Sequence, residues 1–322
     1  MPEWLIERGI GETRYALIER DEIVEARIEL EGAVPAGSVR RARLVSGGQG
    51  RRNAIAVDAR ETEYLLPNGA DKATEGTPII IEVTREVIPG EEPWKRPRAR
   101  ITDKPLNIAP SLAERLGGRE LTFPDAIDAL GELGWNELID EARSGIVALA
   151  GGELRISPTP AMTLIDVDGY LPPEELAVLG AGEAAKAIRR LDIGGSIGID
   201  LPTVGSKSVR QRAAEAIDAA LPQPFERTSV NGFGFVQIVR PRHRASLIEL
   251  AQDRAAFEAR ALLRHAAFES ARPKRLVAHP ALIAVFQSRE RWTDALSRQV
   301  GGAIELRADA ALPMSGGYAE KL

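Results

Sequence analysis

Between residues 161 and 221 the chain reads AMTLIDVDG, PPEELAVLGAGEAAKAIRRLD, GGSIGIDL and SKSVRQRAAEAIDAAL, an order of strand, helix, strand, helix. Two prolines open the first helix, and glycines bound both strands. Such an alternation leaves few choices, because apolar strands joined by amphipathic helices bury their faces as a layered α/β domain. Both strands end in acids, Asp166 and Asp168 in the first and Asp200 in the second. Residues two apart on a strand point to one face, so Asp166 and Asp168 can address a single cation while Val167 packs behind them. Strand ends are where α/β folds build sites, but acids also close strands as solvated termini; pattern alone leaves both readings standing.

Composition narrows the chemistry. The chain has 322 residues and no cysteine, which removes disulfides, thiolate zinc sites and cysteine nucleophiles, and only His243, His265 and His279 could supply imidazole. A metal site would therefore be built from the 47 Asp and Glu, and oxygen ligands select hard cations such as Mg²⁺ or Mn²⁺. The opening MPEWLIERGIGETRYALIERDE is charged throughout, so neither a secretory signal nor a membrane span is expected, and the expected location is cytoplasmic. A net charge of −5 argues mildly against nucleic acid, but basic residues gather at Arg40, Arg41, Arg43, Arg51 and Arg52, at Lys95 to Arg100, and at Arg240, Arg242 and Arg244.

Five segments are expected in a mixed, multi-domain α+β and α/β chain. Residues 1–33 form an N-terminal hairpin, WLIER against TRYALIERDEIVEARIEL, turning at Gly9 and Gly11 and packing on the core. Residues 34–103 carry short β-rich runs separated by GGQG, PNGADKATEG and PGEEPWKRP, the size and pattern of a small oligonucleotide-binding barrel. Residues 104–150 are a helical connector and 151–245 the α/β core. Residues 246–322 hold one long helix, HRASLIELAQDRAAFEARALLRHAAFE, whose run begins at His243, and a small α/β appendage whose last residues, SGGYAEKL, fray.

The stretch GGELRISPTPAMTLIDVDGYL, GEAAKAIRRLDIGGSIGIDLPTV and SKSVRQRAAEAIDAAL resembles the catalytic core of the ribonuclease E/G family, where I-D-V-N is followed by a helix, then L-R-D-I-G-G-L-I-V-I-D-F and a basic helix. Weaker similarity extends to the hairpin, the barrel and the tail. The resemblance implies a shortened member: a Mg²⁺-dependent endoribonuclease that cuts single-stranded RNA to 5′-phosphate and 3′-hydroxyl ends. Asp166 and Asp200 then hold the metal, and Asp168 stands where the family has asparagine, as a third ligand or an orienting group. Lys207 and Arg210 would meet phosphate, as would Arg212 beside them, and Phe233 would lie near the RNA. The barrel would clamp the strand through Trp94, Lys95, Arg96 and Arg98 and through Tyr64, a ring that fits the barrel core as well as the RNA-facing surface.

Three departures qualify that expectation. The family's cysteine zinc link is missing, so neither zinc nor a zinc-linked dimer is expected and the oligomeric state is left open. The connector at 104–150 is too short for a 5′-phosphate sensor together with a full ribonuclease-H-like subdomain, so no strict need for a 5′-monophosphate is expected. The family's R-F-G-L appears as Gly232, Phe233, Gly234 and Phe235, without the arginine. An RNA-binding protein with impaired catalysis is therefore the alternative reading, and a fold-level relative acting on DNA or another phosphoester is a third.

Overall fold

The computed structural model describes residues 2–47, 52–70, 72–90, 92–269 and 274–322. Arg51 of the first basic cluster and most of the expected GGQG turn lie outside the described residues.

β1 (Glu3–Arg8) and β2 (Glu12–Glu19) make the expected hairpin. Gly11, at φ +76°, lies against Trp292, where a Cβ would come within 2.5 Å of the indole. The run expected as one strand after it is two, because the chain reverses at Arg20 and Asp21 into β3 (Glu22–Leu30). Both turn residues hold positive φ, 53° and 62°, without the Gly or Asn that usually announces such a turn.

β4 (Val39–Ser46), β5 (Ala54–Asp58), β6 (Glu63–Leu66), β7 (Pro78–Arg85) and β8 (Arg98–Ile101) close into a barrel in the order β4-β5-β6-β8-β7. Its interior takes alternate residues, among them Ala42, Leu44, Ala54, Ala56, Leu66, Ile81 and Val83. Small alanines on β4 and β5 leave room for the large ring of Tyr64 inside.

α1 (Leu112–Leu116) opens with a capping box between Ser111 and Glu114. β9 (Arg119–Leu121) then runs parallel to β1, giving a four-stranded sheet β3-β2-β1-β9, and α2 (Ala129–Glu132) and α3 (Trp135–Ser144) follow. Next come β10 (Ile146–Leu149), β11 (Gly152–Pro158), β12 (Thr163–Gly169), α4 (Pro173–Arg190), β13 (Gly195–Asp200), α5 (Lys207–Ala220), β14 (Glu226–Arg227) and β15 (Phe235–Arg240). These strands order as β10-β11-β12-β13-β15-β14, with β12 and β13 the parallel pair that a helix such as α4 must connect. Gly180 of α4 lets the helix sit on Val167, since a Cβ there would meet the valine methyl at 2.3 Å. The Val167 face of β12 is thus covered by helix, and Leu164, Asp166 and Asp168 project from the other, open face.

The expected single long helix is two, α6 (Leu247–Leu250) and α7 (Arg254–Phe268), broken where Asp253 caps α7 by accepting from the Ala256 N–H at 3.3 Å. β16 (Lys274–Ala278), α8 (Pro280–Ser288), α9 (Glu290–Val300), β17 (Ile304–Ala308) and β18 (Tyr318–Lys321) complete the chain, with sheet order β17-β16-β18. The tail expected to fray is an edge strand instead, held antiparallel to β16.

Two compact units result. One gathers Met1–Glu31, Gly118–Ser144 and Leu250–Leu322; the other gathers Gly32–Gly117 and Gly145–Glu249, the barrel with the six-stranded sheet. The first of these units joins the N-terminal strands with the C-terminal helices. A buried ion network explains that grouping. Arg14 meets Glu7 at 2.6 Å and Glu12 at 2.7 Å, Arg260 meets Glu12 at 2.7 Å, and Arg264 reaches both Glu7 and Asp128.

Candidate active site

β12 and β13 run parallel with Asp166 in register with Asp200. Partners in adjacent strands lie roughly 4.8 Å apart, so the two exposed carboxylates stand side by side on the open face. Asp168 shares that face two residues on; it pairs across to Glu153 of β11 and accepts the Gly169 N–H at 2.9 Å. Among the described residues no cluster of three or more acidic, histidine or cysteine side chains is placed to hold a metal. A pair of carboxylates suits Mg²⁺, which keeps several waters and takes one or two protein carboxylates alongside substrate phosphate.

The turn before β15 faces this pair from the same end of the sheet. Asp200 is in register with Phe235, and Phe233 lies two residues earlier. That turn is firmly braced: Asn231 Oδ1 accepts the backbone N–H groups of Phe233 at 2.9 Å and Phe235 at 3.1 Å, and Thr203 Oγ1 donates to the Phe233 carbonyl at 3.0 Å. Gly234 has φ +93° and passes so close to the Leu201 carbonyl that no Cβ fits. Phe233 is left 81% exposed at the tip, and Tyr170, just past the end of β12, is 86% exposed. A rigid loop that holds an aromatic ring in water is suited to stacking a base.

Of the expected phosphate ligands on α5, Lys207 and Arg212 are exposed, whereas Arg210 donates to the carbonyls of Val204 at 2.8 Å and Gly205 at 2.9 Å and so clasps the loop that enters the helix.

On the barrel, Tyr64 takes the core position and not the RNA-facing one. Its side chain is fully buried inside the barrel and its hydroxyl donates to Asp58 Oδ2 at 3.1 Å, so it cannot stack a base. Burial, reinforced by Asp58, pushes its hydroxyl up to about 12. Trp94 is 43% exposed, on a turn (Pro93–Lys95) whose carbonyls are held by the buried guanidinium of Arg85, at 2.7 Å from Trp94 O and 2.5 Å from Arg96 O. Lys95 pairs with Glu92 at 3.0 Å and Arg96 with Glu63 at 2.5 Å. Arg98 is held below the usual arginine range by burial and by Arg242. Arg41 and Arg43 alternate outward on β4, between buried Ala42 and Leu44.

Two residues of this surface escape a sequence reading: Arg155 and Tyr170. Arg155 faces the site only through the register of β11 with β12, which no local pattern encodes.

No family model matches the chain. About a third of it is similar to proteins named ribonuclease G: 31% identity over 124 residues to that of Escherichia coli, 30% over 124 residues to that of Salmonella typhimurium and 36% over 110 residues to that of Haemophilus influenzae. These matches take in 35%, 35% and 30% of this chain. They span 25%, 25% and 22% of the relatives' own length, so the likeness supports a relationship to the ribonuclease E/G family over that portion.

Proposed function

We propose that the chain is a metal-dependent endoribonuclease acting on single-stranded RNA, with Asp166 and Asp200 as its metal ligands. The register pairing of these two acids on an uncovered sheet face carries the reading, and the partial similarity to ribonuclease G supports it. Mg²⁺ held there, or Mn²⁺ in its place, would lower the pKa of bound water and offset charge on the phosphate, which accounts for chemistry in a site without histidine. Around it, Phe233 and Tyr170 stack bases beside the scissile bond, Lys207 meets a neighbouring phosphate, and Asp168 orients groups at the strand end. The barrel acts as an oligonucleotide-binding module, tracking the strand with Trp94, Lys95, Arg96, Arg41 and Arg43. Products carry 5′-phosphate and 3′-hydroxyl ends, and no 5′-monophosphate is required.

A second reading, an RNA-binding protein without turnover, is favoured by one observation: position 232 lacks a side chain and Arg210 is committed to its own loop, which leaves few cations at the acidic pair. Incubation with end-labelled, A/U-rich single-stranded RNA in Mg²⁺ or EDTA separates the two. Internal cuts that need the metal and vanish in Asp166→Asn and Asp200→Asn, with RNA affinity retained, establish the nuclease. Binding without any cut in the wild type establishes the second reading.

A further inference from the structure

We propose that Arg155 binds the substrate phosphate at the Asp166–Asp200 pair, an inference that rests on the function proposed above. The observation behind it is a row of side chains. β11 pairs antiparallel with β12 so that Arg155 lies directly opposite Asp166, Asp166 lies opposite Asp200, and Asp200 opposite Phe235. Arg155 alternates with buried Leu154 and Ile156, which fixes it to the open face that carries the acids. Directly opposed residues of an antiparallel pair hold their Cβ atoms about 4.5–5.5 Å apart, well within the span of an arginine. The row therefore presents one cation, two anions and an aromatic ring in sequence across four strands.

Two adjacent carboxylates repel a phosphate as well as each other, so a site of this kind needs a cation that reaches the phosphate from the side. The loop on the Asp200 flank supplies Phe233 but no cation, and Arg210 is taken by backbone carbonyls. Arg155 is free to move to this role. Its side chain is 59% exposed, and its partner is Glu153, at 2.6 Å on the same strand. Such a solvated pair is screened and readily exchanged for a better ligand. The planar fork of the guanidinium matches two phosphate oxygens, which a lysine cannot do.

The test compares wild type, Arg155→Gln, Arg155→Lys and Glu153→Gln. With the A/U-rich RNA in Mg²⁺, Arg155→Gln lowers kcat/KM about 10- to 100-fold, as expected for loss of a hydrogen bond to a charged group. Arg155→Lys recovers part of that loss, and Glu153→Gln, which frees the arginine, lowers KM. The second readout is independent of turnover: affinity for a short fluorescein-labelled single-stranded RNA across a KCl series, with and without Arg155→Gln in an Asp200→Asn background. Loss of one phosphate contact reduces the slope of log affinity against log salt by about 0.7.

If the wild type cuts while Arg155→Gln keeps both kcat/KM and salt slope, the Arg155 inference is overturned and the nuclease reading stands. If the wild type binds without cutting, the nuclease reading fails and the slope alone decides: a reduced slope supports the phosphate contact, an unchanged one overturns it. Absence of both binding and cutting overturns both.

Discussion

Gly198 of β13 lies against the ring of Phe235: a Cβ on it would stand 2.6 Å from Phe235 Cζ and 3.1 Å from Leu164 Cδ2. The bare backbone lets that ring rest on the sheet beside Asp200, its partner in register. Gly198→Ala displaces the tip of a movable side chain rather than backbone, so the protein folds but the ring swings away. If Phe235 is a stacking surface, Gly198→Ala and Phe235→Ala weaken single-stranded RNA binding alike, by about 5- to 100-fold, the range of one base–aromatic stack. Anisotropy titrations decide this; unchanged affinity in Phe235→Ala removes the ring from the binding surface.

Acid should unfold the unit that contains Glu12 in a way traceable to that side chain. Burial raises its pKa, but Arg14 and Arg260 outweigh that and hold Glu12 below its ordinary 4.5. A carboxylate with a depressed folded pKa contributes its full stabilisation above the unfolded value, and loses it as pH falls through the folded one. Glu12→Gln should therefore destabilise by about 3–5 kcal/mol at pH 7, the range for breaking a buried ion pair, with the gap from wild type closing below pH 4.5. Urea melts at a series of pH values test it, and a gap that stays constant down to pH 3 would show that the two arginines do not depend on the charge.

How far these features can be read from the amino-acid sequence depends on whether they are local. Strands β12 and β13 announce themselves through apolar runs bounded by glycine, and their terminal acids come together because parallel strands joined by one helix end at the same edge. The barrel strands are legible by alternation for the same reason. Arg260 and Arg264 are not: on α7 they look like solvated charges, and only partners more than a hundred residues away, Glu12 for Arg260 and Glu7 and Asp128 for Arg264, take them inside. The reversal at Arg20–Asp21 and the break before Arg254 lack Gly and Pro, so a continuous helical or strand pattern conceals them. Tyr64 sits in an alternating strand whose inward face is set by barrel closure, a long-range event.

Arg85 supports the Trp94 turn from behind. Its guanidinium, pulled down to about 9 by burial and then by repulsion from Arg98 and Arg242, remains charged at neutral pH and donates to the carbonyls of Trp94 and Arg96. Arg85→Met leaves those carbonyls without a donor, each at a cost of about 1–3 kcal/mol. Hydrogen exchange should then speed up at Leu65, Ile88 and Lys95, whose amides bond within this turn region. RNA affinity should fall about as far as in Trp94→Ala, although Arg85 is buried away from the ligand. Exchange that rises without any change in affinity would take the Trp94 turn out of the RNA path.

Tyr64→Phe separates the interior of the barrel from its outer surface. The lost hydroxyl donates to Asp58, which keeps its bonds from the Arg60 and Thr62 N–H groups, at 2.9 and 3.0 Å, and its pairing with Arg40 at 3.0 Å. Because Asp58 stays satisfied, the change costs about 1 kcal/mol rather than the full penalty of an orphaned charge. In the wild type the phenol titrates near 12 instead of 10.0, so its contribution is complete below pH 10.0 and is lost as pH rises toward 12. A spectrophotometric titration should show one tyrosine ionising late, absent from the variant. RNA affinity should be the same in both, since the ring never reaches the surface; a weaker variant would mean that the barrel opens when it binds.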